Sequence, residues 1–290
     1  MTSSSASHPN ADQIRYWNQI GGKQWLNAHE GLRRQLLPLG LEVIERAGIE
    51  PGSRVLDVGC GCGDTSFELG RRVGPRGMVT GLDISQVLLS RALELAYEEG
   101  VSNVAFTRAD AQTAALPEGA FDLLFSRFGV MFFADPEAAF RNMRRALRPG
   151  ARMMFICWRD IRLNPIMLTP ALAVSGLVPL PAFDPSAPGP FAFADRDRVR
   201  GFLERAGFLD VAFEELDRDL SVGHDASLDE TAMFLTHIGP AYRALVDAGA
   251  GPDLWAAATA AIREKIAPYH RPEGVRMPSA TWLVTGRAPG

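Results

Sequence analysis

Residues 55–66 read VLDVGCGCGDTS: an apolar run, then glycine at 59, 61 and 63 with a cysteine in each gap. The run is short and rich in valine and leucine, and the residues after the last glycine, DTSFELGRRV, suit a helix. A strand that breaks at a glycine-rich turn into a helix is the start of a βα unit. In an open α/β sheet that turn lies at the carboxyl end of the strand, where ligands bind, and residues without a Cβ let a ligand reach the backbone.

Working outward, further runs of the same kind recur: RVLDVG (54–59), MVTGLD (78–83), NVAFTRAD (103–110), FDLLFS (121–126), RMMFICW (152–158), VAFEEL (211–216) and TWLVTG (281–286). The first five are apolar on both faces, as strands buried in a parallel sheet are. Helical patterns lie between them. Ser85 caps a helix whose Leu88, Ala92, Leu95 and Ala96 follow one stripe, and Gly100 ends it. Asp135-Pro136 opens another, with Phe140, Met143 and Leu147 buried before Pro149-Gly150 stops it. The predicted fold is α/β: a Rossmann-like, doubly wound, mostly parallel seven-stranded sheet with helical lid insertions.

The predicted organisation is an N-terminal helical lid (1–50), a ligand-binding core (51–160), a proline-rich insertion (161–195), a continuation of the core (196–218), a helical insertion (219–278) and a last core strand (279–290). Within it, PIMLTPALAVSGLVPLPA (165–182) is free of charge, but its prolines disfavour a membrane-spanning helix, so it reads as a flexible apolar lid. Phe183, Phe191 and Phe193 beside it are candidates to cover an apolar ligand. Ser227 and Glu230 form a capping box at the start of a helical stretch over 227–267.

Of 290 residues, 47% are hydrophobic and 22% charged, with a net charge of −4, so a folded, mildly acidic chain is expected. No basic footprint for nucleic acid is present, and a small-molecule partner fits better. Cys60, Cys62 and Cys157 are too few for a disulfide framework, and MTSSSASHPNADQ (1–13) lacks a signal-peptide pattern; a cytoplasmic location is expected. A homodimer is left open. No metal site is expected, since the C-x-C has no second Cys/His cluster nearby.

The glycine loop is not a dinucleotide fingerprint, because Asp64 and Ser66 stand where a third glycine would fall. Asp64 also places an anion at a helix N-terminus, where a pyrophosphate would be repelled. A nucleoside without phosphate fits better. Asp83 ends the second strand about twenty positions after the loop, placed to accept hydrogen bonds from ribose hydroxyls, and Asp110, with Ala111, ends the third, placed to meet an adenine edge.

In this order the segments VLDVGCGCG (55–63), GLDIS (81–85), ADAQ (109–112), FDLLFSRFG (121–129) and LRPGARMMFICW (147–158) resemble the class I S-adenosylmethionine-dependent methyltransferases, most closely the ubiquinone-biosynthesis-type small-molecule branch. The resemblance covers about 40–160 and the terminal strand. It implies S-adenosylmethionine as cofactor and S-adenosylhomocysteine as product. By the same resemblance, Asp57 and Gly59, Cys60, Gly61 and Gly63 hold the methionine part, and Asp83 the ribose. Ile84 takes the adenine face, Asp110 and Ala111 its edge, and Ser126 and Arg127 lie near the methyl group. The Asn/Asp-Pro-Pro-aromatic motif of many base-amine methyltransferases is replaced by Ser126-Arg127-Phe128-Gly129, which argues against nucleic-acid bases.

The expected activity is methyl transfer to oxygen, nitrogen or carbon of a small, largely apolar or aromatic metabolite, as in secondary metabolism. The alternatives are a cofactor-assisted cyclisation or decarboxylation, and a non-catalytic binding module. Trp17, Trp25, Phe128, Met131 and Phe132 are candidate pocket residues, and His29, His237 and Arg127 candidate catalytic ones, since a hydroxyl acceptor must lose a proton.

Overall fold

The computed structural model describes residues 8–182, 184–223 and 227–290. Its strands are β1 (Arg54–Val58), β2 (Met78–Asp83), β3 (Val104–Arg108), β4 (Phe121–Arg127), β5 (Leu147–Trp158), β6 (Leu209–Glu215), β7 (Arg218–Val222), β8 (His270–Arg271), β9 (Gly274–Ser279) and β10 (Thr281–Arg287). Its helices are α1 (Ala11–Gln19), α2 (Gly21–Asn27), α3 (His29–Arg46), α4 (Asp64–Val73), α5 (Gln86–Glu98), α6 (Pro136–Ala146), α7 (Pro165–Val174), α8 (Arg196–Arg205), α9 (Leu228–Thr236), α10 (Gly239–Asp247) and α11 (Pro252–Ile266).

Seven strands form one sheet in the order β3-β2-β1-β4-β5-β10-β6. Pairings from β3 through β5 are parallel, and β10 runs antiparallel to both β5 and β6. The order reverses between β1 and β4, which opens a crevice at the carboxyl ends of those strands. The valines, leucines and phenylalanines of β1 and β4 cover these central strands on both faces: Val55, Leu56, Leu124 and Phe125 are all buried. The third run departs from the expectation of burial on both faces, because β3 is an edge strand and none of its residues is buried.

On one face the core centres on Phe140 of α6, with rings of Phe155, Phe193, Phe202 and Phe208 at centroid distances of 5.5, 6.2, 5.8 and 6.1 Å. Phe193 therefore belongs to the sheet's own core, and Phe191 is also buried. Phe183 lies outside the described residues.

The caps form as their residue types require. Ser85 accepts from Leu88 N, Asp135 from Ala138 N, and Ser227 with Glu230 closes a capping box.

Three expectations are corrected. Residues 165–174 form helix α7, with Pro165 at the first turn and Ile166, Pro170, Ala171, Ala173 and Val174 buried, because an N-terminal proline needs no amide donor. The stretch 219–278 is not wholly helical: β7, β9 and β8 make a second sheet, whose alternating Leu220, Val222, Val275 and Met277 are buried. Strand β5 begins at Leu147, and Pro149-Gly150 falls within it, where the pairing to β4 shifts register between Phe121 and Leu123.

Candidate functional site

At the end of β1, Asp57 is fully buried and accepts from Thr65 Oγ1 at 2.9 Å and Ser66 Oγ at 2.6 Å, both on Oδ2. Its Oδ1 has no partner among the described residues. Burial pushes its pKa up to about 6, against the hydrogen bonds of Ser66 and Thr65 and the charge of Arg127.

The glycine loop follows with positive φ at Gly59, Gly61 and Gly63, namely 69°, 57° and 88°. The two outer glycines are required by packing. A Cβ on Gly59 would stand 2.5 Å from Gly129 Cα, and one on Gly63 would stand 2.8 Å from the Phe106 ring. A Cβ on Gly61 would meet nothing within 4 Å, so this residue borders open space. Cys60 and Cys62 are buried; burial pushes the Cys62 thiol up to about 12 and that of Cys60 well above its ordinary value, so neither is a thiolate.

Asp83, half-buried at the end of β2, accepts from Gly61 N at 2.9 Å and from Ser85 N at 2.8 Å. Burial raises its pKa against these backbone hydrogen bonds. Each oxygen keeps acceptor capacity. Ile84 beside it is half-buried, and its carbonyl accepts from Asn18 Nδ2 at 3.0 Å. Beyond β3, Asp110 is buried and takes Gln112 N on Oδ1 at 2.9 Å and Asn10 Nδ2 on the other oxygen at 2.7 Å. Ala111 is buried next to it.

At the end of β4 the two expected residues differ. Ser126 is fully buried, donating to Val58 O at 2.7 Å and accepting from Gly129 N at 3.1 Å, so its hydroxyl ties β4 to β1. Arg127 donates to Asp64 Oδ2 at 3.2 Å, while its Nη1 is buried without a partner among the described residues. Gly40 of α3 makes room for it: a Cβ there would stand 3.1 Å from Arg127 Cδ.

His29 is paired with Asp64. Its Nε2 lies 3.0 Å from Asp64 Oδ1, and Arg33 Nε lies 3.4 Å from the same atom. Burial pushes the Asp64 carboxyl up, but the His29 hydrogen bond and the charges of Arg127 and Arg33 outweigh it and hold the group below its ordinary value. His237 is exposed, its Nδ1 is 2.8 Å from Met233 O, and its ring stacks on Trp255 at 5.1 Å.

Trp17 stands edge-on to Trp25 at 6.0 Å and to Phe132 at 5.3 Å, so these three candidates form one aromatic cluster. Met131 is 1% exposed and belongs to the core. Phe128 has φ 61° and stacks on Trp158 at 4.3 Å. A bulky side chain in the left-handed region is strained, and such strain gathers at functional sites.

Sequence reasoning missed Asn10, Gly40 and Gln35. Asn10 stands at the N-cap position of α1 but makes no side-chain cap bond; that missing cap is visible only in the structure. Gln35 is buried with its Oε1 unpartnered among the described residues.

These residues fit S-adenosylmethionine. Its methionine end carries an ammonium and a carboxylate, and here a buried carboxylate oxygen and a buried guanidinium nitrogen both stand unpartnered at the ends of β1 and β4. Gly61, on the loop that follows β1, borders open space, and Asp83 offers free lone pairs.

A methyltransferase-domain family model matches residues 49–168. The chain is 36% identical over 114 residues to the ubiquinone/menaquinone biosynthesis C-methyltransferase UbiE of Cellvibrio japonicus, covering 39% of this chain and 46% of that protein. The chain thus spans about half the length of the curated relatives it matches. Among solved structures, YcgJ of Bacillus subtilis aligns with a TM-score of 0.55 at 18% identity, over 87% of this chain and 98% of its own. Phosphoethanolamine N-methyltransferase 2 of Haemonchus contortus, solved with S-adenosyl-L-methionine, aligns with a TM-score of 0.53 at 17% identity, over 87% of this chain and 53% of its own. Residues 49–168 thus match a methyltransferase domain, set within a fold that these solved structures share.

Proposed function

We propose that this protein transfers a methyl group from S-adenosylmethionine to an oxygen, nitrogen or carbon of a small, largely apolar or aromatic metabolite. The observation that carries the reading is the pair of unpartnered buried atoms at the ends of β1 and β4, Asp57 Oδ1 and Arg127 Nη1, together with the open face of Gly61 on the loop after β1. When bound, the cofactor supplies a sulfonium methyl open to in-line displacement.

The chain's own residues then bind, orient and exclude water. Asp57 and Arg127 hold the two charges of the amino acid end, Gly61 admits it, and Asp83 accepts from the ribose hydroxyls. Trp17, Trp25 and Phe132, with Phe128 on Trp158, supply an aromatic wall that keeps water from the acceptor. Neither His29 nor His237 presents a free imidazole to that wall, since one is spent on Asp64 and the other lies flat on Trp255. Rate enhancement therefore comes from alignment, which alone is worth about 7–11 kcal/mol in favourable cases. Small-molecule partnership, a cytoplasmic location and a place in secondary metabolism belong to the same proposal.

The test is incubation with methyl-deuterated S-adenosylmethionine and a metabolite extract of the source organism, read by mass spectrometry, with Gly61→Val as blank. A labelled product absent from the blank is expected, and its fragments name the acceptor atom. A mass change without label would move the assignment to cyclisation or decarboxylation, and bound cofactor with no product to a binding module.

A further inference from the structure

Asn10 stands 3% exposed, although it lies just before α1 near the start of the described chain. Its Nδ2 donates to Asp110 Oδ2 at 2.7 Å, and its Oδ1 accepts from Ala134 N at 2.7 Å. Its own backbone N donates to His8 Nδ1 at 3.3 Å, and His8 Nε2 lies 3.7 Å from Asp110 Oδ2. With this strap in place the Asp110 side chain is only 3% exposed. Asp110 lines neither of two cavities of the molecule: one of about 140 Å³ is lined by His29, Arg33, Asp64 and Phe67, and one of about 310 Å³ by Arg159, Glu215, Asp217 and Arg218.

A carboxamide presents an N–H donor beside a carbonyl acceptor. The Watson–Crick edge of adenine has the same order, its exocyclic amine beside a ring nitrogen. Asn10 thus shows Asp110 and Ala134 the two functions that an adenine edge would show them. We infer that Asn10 is an internal occupant of the adenine-edge position, which a purine nucleoside carrying an exocyclic amine must displace; this rests on the cofactor reading above.

Displacement can stay local. Asn18 still accepts from Gln86 N at 2.9 Å and donates to Ile84 O, and Ser85 Oγ still donates to Trp17 O at 2.7 Å, so α1 keeps its own attachment to α5. The cost of opening is the pair of Asn10 hydrogen bonds, which the nucleoside replaces one for one. Affinity is then reduced by the fraction of molecules in which the strap is closed.

The experiment compares Asn10→Ala and Asn10→Ser with the wild type in S-adenosylhomocysteine binding, by calorimetry and by stopped-flow tryptophan fluorescence, with Gly61→Val as the non-binding control. Two substitutions are used so that a folding defect in one leaves the other to decide. Affinity rising about three- to tenfold, mainly through a faster association rate, is the expected result. Weaker binding with faster dissociation would mean that Asn10 completes the site, and unchanged binding would make the contact incidental; either overturns the inference while leaving the cofactor reading intact. If the wild type binds no better than Gly61→Val at millimolar ligand, the cofactor reading itself fails and the inference with it.

Discussion

Gly61 N donates to Asp83 Oδ2 at 2.9 Å, so the carboxylate that ends the second strand also holds the crest of the glycine loop. One side chain thereby shapes two walls of the crevice. Asp83→Ala is expected to weaken S-adenosylhomocysteine binding by about 1.5–3 kcal/mol, the scale of hydrogen bonds to a charged group, with a folded far-UV spectrum. Wild-type affinity in calorimetry would remove Asp83 from the ribose role.

Gly61 and Gly59 separate binding from folding. Gly61→Val puts a branched side chain into open space at φ 57°, so binding is lost while thermal stability falls only by the backbone strain, about 1–2 kcal/mol. Gly59→Ala drives a methyl group onto Gly129 Cα and costs stability first. Thermal melts of both variants beside a binding assay check the contrast.

Asp64→Asn removes the carboxylate that pairs with the buried Arg127, and breaking a buried pair in this way costs about 3–5 kcal/mol. Because the folded carboxyl lies below its ordinary value, its contribution is present above that value and is lost as pH falls through the folded value. Chemical denaturation of wild type and variant at neutral and acid pH is the measurement, and a gap that widened toward acid would contradict the assignment.

Asp57 titrates in the opposite sense. Its folded value is raised to about 6, so the neutral form favours the folded state at low pH, and that contribution is lost as pH rises through about 6. Cofactor binding needs the charged form to meet an ammonium, so affinity is expected to climb between about pH 5 and 7 and then level off. In Asp57→Asn the climb should vanish.

Phe128 holds a ring stacked on Trp158 at the cost of a left-handed backbone. Both Phe128→Ala and Phe128→Gly lose the stack, but glycine also relieves the strain. The glycine variant should therefore be the more stable of the two by about 1 kcal/mol in denaturant melts, against its usual entropic disadvantage.

The parts of the site that were legible in the sequence are those encoded locally. Asp57, Gly61, Asp83 and Asp110 each follow an apolar run that ends in a turn, so their position at a strand end could be read from neighbours. The occupants of the crevice could not. Asn10 meets Asp110 across a hundred residues, and Gly40 makes room for Arg127 across nearly ninety, so no window of sequence contains both partners. His29 illustrates the limit from the other side: imidazole chemistry suggested a base, and only the fold reveals that Asp64 claims it. The second sheet escaped notice because β7 and β9 are separated by three helices and each is short.

The last strand, β10, lies between β5 and β6 and joins them by antiparallel pairing on both sides. During synthesis β6 is complete some seventy residues before its only neighbour in the sheet exists. Until residues 281–287 leave the ribosome, β5 offers one unpaired edge and β6 two, a template for association between nascent chains. The order of manufacture, rather than the finished fold, sets the interval in which this chain most needs a chaperone.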